Sequence, residues 1–279
     1  MGYWHKAAAT LGLRAYSKSG TQEGCYLAEL NCCNGGLSGE HLISESVMRL
    51  LAGDGEFTIG GTPWLPEGEF KSVGFNSLTA KCLCRRHNSA LHQLDDAALS
   101  FFKSLRSAFE DSSASSQVIV SGHDLERWLL KTVKAMAVSR NLGRGRNSLD
   151  GAFSEGIDVP DLLDDPMVWP PGAGLYCIMT PGEQTQNHNR FQLAPMTAES
   201  GTISGLWANI LGVSFVLMLE PLDLRRSPQV RGSVHRPGAI AVEHPKVRNI
   251  VFLGWDDGRR HRETLSLKFL SKVSQPSTG

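Results

Sequence analysis

From position 84 onward apolar residues return every three or four positions, at Leu91, Leu94, Ala98, Phe101 and Leu105. That is the period of a helix with one buried face. It predicts a long helix from near Cys84 to near Glu110, and the serine-rich run Asp111 to Ser116 then reads as a linker. A second helix is expected behind Asp124 as its cap, with Leu125, Trp128, Leu129, Val133 and Met136 on one face. Ser44 is placed to cap a short helix carrying Val47, Met48, Leu50 and Leu51. Residues 1–20 read as a poorly fixed entry, and residues 25–43 as short extended pieces joined by the turn Asn34-Gly35-Gly36. The Gly- and Pro-rich stretch 53–74 reads as a loop and 141–172 as irregular chain. Val118 to Val120 is a strand candidate, and strand-like runs follow at 175–180, 201–207, 211–219, 249–254 and 263–270.

The pattern predicts an α+β protein of two domains, residues 1–116 with a core at about 23–110, and a β-rich part at 117–279 whose task no motif names. The longest apolar stretch, Ile203 to Leu222, contains Asn209, Glu220 and two glycines. It therefore reads as buried strands and not as a membrane span.

Charge changes this picture little. Lys plus Arg and Asp plus Glu number 28 each, so no global field draws the chain to nucleic acid or membrane, although a local basic groove is compatible with that balance. The N-terminal residues lack a basic-then-apolar leader, which makes cytoplasm the expected compartment. Cysteine usage changes the picture more. Five of the six cysteines fall within residues 25–84, and such crowding without a secretion signal argues for metal over disulfides.

On a helix Cys84 and His87 stand at i and i+3, within reach of one ion. Cys25 with Cys33, or with Cys32 in its place, can complete a tetrahedral zinc site. Metal would replace the core that this Gly-rich segment lacks. Asn88 lies on the next stripe of the same helix, shared with His92 and Asp95, and is expected to face Glu40 and His41. Hydrolysis of a phosphodiester needs a base for water and a cation for the phosphate. An imidazole such as that of His41 suits the base, while Glu40 and Asn88 offer oxygen atoms to Mg²⁺ or Mn²⁺. Lys81, Arg85 and Arg86 stand beside these residues and can meet nucleic-acid phosphates. Basic loops recur at 140–146, 225–236 and 259–262, while Trp128, Trp207 and Trp255 read as core anchors.

Glu40-His41-Leu42-Ile43, preceded by cysteines and followed by Cys84-x-x-His87-Asn88, resembles the HNH endonuclease family. That resemblance covers roughly residues 23–100. It implies a ββα-metal motif of hairpin, loop and helix, with His41 as general base, Glu40 and Asn88 as ligands of a catalytic divalent ion, and Asn76 as the residue bracing the loop. DNA would be the substrate. His87 stands where many family members have Cys, Asn88 where many have His, and Cys25-x7-Cys33 replaces the usual close pair. Two other readings remain beside cleavage. One is a zinc module that binds nucleic acid or protein without cutting; the other is a nuclease governed by a ligand or partner at residues 117–279. An open position shared by Glu40, His41 and Asn88 would favour cleavage.

Overall fold

The computed structural model describes residues 8–14, 20–52, 57–144, 147–149, 151–178, 191–221 and 232–268. A 3₁₀ turn at Ala28–Leu30 comes first, then strand β1 (Leu37–His41), followed at once by helix α1 (Glu45–Ala52). The stretch expected to be a loop holds a hairpin, β2 (Phe57–Gly60) against β3 (Phe70–Val73). This pair escapes an alternation test because its outer residues stay wet; Phe70 is 76% exposed. A 3₁₀ turn at Phe75–Leu78 leads into β4 (Thr79–Cys84), which pairs antiparallel with β1, and then directly into α2 (Arg85–Glu110). The order strand, strand, helix is thus present, with α1 and the β2–β3 hairpin inserted between the strands.

β5 (Gln117–Ser121) and α3 (Gly122–Val138) come next. The hydroxyl of Ser121 caps α3, accepting from the Asp124 amide, so the cap lies three residues before the expected Asp124. After the short pair β6 (Gly143–Arg144) and β7 (Asn147–Ser148) comes α4 (Val159–Asp164), in a region read as irregular. Asp158 caps α4 by accepting from the Asp161 amide, and Pro160 sits in its first turn.

The remaining strands are β8 (Gly174–Ile178), β9 (Phe191–Thr197), β10 (Ile203–Ile210), β11 (Val213–Met218), β12 (Ser233–His235), β13 (Ala239–Glu243), β14 (Arg248–Gly254) and β15 (Thr264–Lys268). One antiparallel sheet has the order β12-β8-β11-β10-β9. A second, β15-β13-β14-β5, is mixed, and β5 reaches it from the N-terminal side of α3. β9, β12 and β13 were not expected. β13 carries the four-residue apolar run Ala239 to Val242, too short to separate from a buried helix segment by period alone.

α2 and α3 pack against each other between the sheets. Phe101 and Phe102 of α2, Trp128 of α3, Phe215 of β11 and Phe191 of β9 meet edge to face, with ring centroids 5.0 to 6.4 Å apart. One continuous apolar core runs from Cys25 and Cys33 through α2 and α3 to Ile240 and Leu265, and so crosses the 116/117 position. The described part of the entry is also tied down. Leu13 is fully buried, its amide donates to Asp164 Oδ1 at 2.9 Å, and the Leu11 amide donates to the Asp164 carbonyl. No described helix is long and apolar enough to cross a membrane.

Candidate metal centre and the acid–histidine strand

The turn Asn34-Gly35-Gly36 builds the metal centre from below. Its carbonyls accept the first amides of α2, Arg85 N–H to Gly36 and Arg86 N–H to Asn34, which satisfies donors that every helix start leaves open. Gly35 has φ +84°, and a Cβ there would lie 2.9 Å from Arg85 Cβ, so glycine is required. Cys84 is the last residue of β4 and the N-cap of α2, in extended conformation. The Cys84–His87 pair therefore spans N-cap to first turn, a correction to its expected placement on one helical stripe; β4 pairing holds Cys84 extended. The spacing still works.

Cys25, Cys33, Cys84 and His87 are all buried, and their ligand atoms lie within 4.8 Å of one another. Nδ1 of His87 is 3.3 Å from Cys84 Sγ, 3.4 Å from Cys25 Sγ and 3.8 Å from Cys33 Sγ. A tetrahedral ion with ordinary Zn–S and Zn–N bonds sets that separation at about 3.6 Å. Burial raises the Cys25 thiol and pushes Cys33 up to about 12. Burial also works against ionising Cys84, but backbone N–H groups of His87 and Asn34 donate to its sulfur and bring it below the ordinary thiol value. Three thiols held this close with an imidazole nitrogen form a Cys₃His cluster that can hold a metal ion, with a donor set compatible with zinc.

Cys32, the alternative to Cys33, stands one layer out. Its sulfur lies 3.4 Å from the other ring nitrogen of His87, donates to the Leu13 carbonyl at 3.1 Å, and accepts from Arg86 at 3.1 Å. Such a partner fixes the tautomer of a ligating imidazole. Cys32→Ala is therefore expected to keep one ion per chain while weakening its affinity roughly 10–100-fold. Competition with a chromogenic chelator measures this; complete loss of the ion would make Cys32 a ligand. Arg86 is half-buried, and its guanidinium also donates to the Gly12 and Leu13 carbonyls at 2.8 Å. Of the three cations expected to meet phosphates, Arg86 is thus engaged in holding the entry segment, while Lys81 and Arg85 are exposed.

The acid–histidine pair lies in β1, whose register with β4 shifts between Ser38 and Glu40. This irregularity sends the Glu40 side chain into the interior, where it is 3% exposed. Its Oε1 lies 2.7 Å from Lys131 Nζ of α3, and the same ammonium is 2.6 Å from Asp95 Oδ2 of α2. Asp95 also accepts from the Ser44 hydroxyl, which in turn accepts from Trp128 Nε1. Burial raises the Glu40 carboxyl, and Lys131 only partly offsets this. Lys131 is raised in spite of burial by its two carboxylates.

Asn88 donates its amide nitrogen to Ser38 Oγ at 3.0 Å and to the Gly39 carbonyl at 3.3 Å, bracing β1 from the helix. His41 remains partly exposed. Its Nε2 is closed off from solvent and faces Glu45 Oε2 at 3.5 Å, and Arg49 holds the other oxygen of Glu45 at 2.6 Å. Asn76 is exposed on the turn before β4, where its carbonyl accepts from Thr79. Glu40, Asn88 and His41 thus gather around one strand, but Glu40 and the amide of Asn88 do not converge on an open position. The ligand set expected for a divalent ion does not fit: an ammonium already serves the carboxylate, and the end of Asn88 that faces β1 is a hydrogen-bond donor.

Sequence reasoning did not find Lys131, Glu45 or the polar use of Ser44. Lys131 left a signal, a cation three residues after Trp128 inside the apolar run Leu129 to Val133. Glu45 stands at i+4 from His41, beyond the strand end, where no helical period connects the two. The basic loops fall partly at 145–146 and 222–231, outside the described residues, and Arg236 is buried against Glu126 at 2.8 Å. The chain matches no family model, no curated protein and no solved structure.

Proposed function

We propose that the chain is a zinc-stapled ββα module that hydrolyses phosphodiester bonds of DNA, with His41 as general base. The reading is carried by one observation: β1 ends in His41, pairs with the strand that runs into α2, and is braced from α2 by Asn88, with the Cys₃His cluster at the strand–helix junction. Zinc at Cys25, Cys33, Cys84 and His87 would fix the start of α2 relative to β1 and has no part in the chemistry. Glu45 orients the His41 ring through Nε2, which leaves Nδ1 to take the proton of an attacking water. Lys81 and Arg85, exposed within β4 and at the start of α2, would meet the phosphate backbone. No step is routed through a divalent ion.

The test is nicking of supercoiled plasmid by the zinc-loaded full chain, with and without added Mg²⁺ or Mn²⁺. A second reading, a zinc module that binds nucleic acid or protein without cutting, is favoured by the closed Glu40–Lys131 contact. Retained DNA binding with no nicking under any condition would select it.

A further inference from the structure

The strongest unassigned feature is the polar chain buried beneath the acid–histidine strand. Lys131 contributes a single ammonium from α3, and both carboxylates facing it come from other elements, Glu40 from β1 and Asp95 from α2. Lys131 and Glu40 have side-chain exposures of 3% and 4%. Burying an ammonium is costly unless its counter-charges are close and fixed. Here Asp95 is fixed by Ser44, Ser44 by Trp128, and Glu40 by the strand irregularity. Removing one partner would strand a buried charge, so the three groups act as a unit.

The arrangement also bears on ion chemistry. A divalent ion at Glu40 would have to expel Lys131 from between two carboxylates, and the expelled ammonium would be left inside the core. It would also need an oxygen ligand from Asn88, whose amide nitrogen is the end turned to β1. We infer that Lys131 is a positioning residue: its ammonium is the resident cation of Glu40, excludes a divalent ion from that carboxylate, and clamps β1 to α2 and α3 so that His41 stays presented at the strand end. The catalytic consequence rests on the hydrolytic reading; the ion-binding consequence does not.

Mn²⁺ binding to the zinc-loaded full chain, followed by the resonance signal of free Mn²⁺, tests this. Wild type and Glu40→Gln should bind Mn²⁺ alike, within a factor of two, because Glu40 is no ligand. Lys131→Met exposes two carboxylates to each other and should gain Mn²⁺ affinity at least tenfold, along with a rise in melting temperature on adding Mn²⁺ that wild type lacks. Lys131→Arg keeps the cation and should gain neither. A tenfold or larger loss of Mn²⁺ affinity in Glu40→Gln would overturn the inference, as would an equal gain in Lys131→Arg and Lys131→Met. Should Lys131→Met fail to fold, the comparison of wild type with Glu40→Gln still decides. Failure of every variant, wild type included, to nick DNA removes the hydrolytic reading and leaves the ion-binding result standing.

Discussion

Purified under reducing, chelator-free conditions, the protein is expected to carry one zinc ion per chain, and Cys84→Ala to lose both the ion and the cooperative thermal transition. Structural zinc in small sites binds with an apparent ~10–16 kcal/mol near neutral pH, which is comparable to or larger than the whole stability of a typical domain. Cys84 is the ligand whose loss reaches furthest. It ends β4, stands at the N-cap position of α2, and lies in the continuous core shared with both sheets. Removing it leaves three ligands, two of them thiols whose ionisation burial opposes. Elemental analysis and circular-dichroism melting read the two outcomes separately. One full equivalent of zinc in Cys84→Ala would remove Cys84 from the ligand set, and its absence from wild type would refute a structural ion.

The second large effect is kinetic. His41→Ala is expected to lower DNA nicking by roughly 10²–10⁴, the usual contribution of a positioned general base, with zinc content and melting temperature nearly unchanged. The imidazole is partly exposed at a strand end, and among the described residues its polar contact is the 3.5 Å approach to Glu45, so little folding energy depends on it. Glu45→Gln should lose less, because it disturbs the ring's orientation and leaves the base in place. Nicking rates with zinc content measured on the same preparations decide this. A His41→Ala variant that nicks as fast as wild type would end the proposed role, and parallel loss of zinc would make the histidine structural.

The sequence alone determined those features whose cause is local. The period of Leu91, Leu94, Ala98, Phe101 and Leu105 depends only on 3.6 residues per turn, and α2 runs over Arg85–Glu110 as that period requires. The ligand cluster was legible for a related reason: the cysteines crowd within one segment, and the Cys84–His87 spacing is short enough for sequence separation to stand for distance. Tertiary structure decided between Cys33 and Cys32, since adjacent residues in an extended segment point to opposite sides, and only packing against Leu13, Arg86 and His87 shows which sulfur faces the other ligands. It also decided the state of Glu40. A carboxylate beside a histidine reads as a metal ligand until a lysine 91 positions away, on another helix, is placed against it. Contacts of that separation leave no period in the chain. The parallel pairing of β5 with β14 was hidden in the same way, because nearly half of the chain separates the partners and they are joined by hydrogen bonds that no side chain encodes.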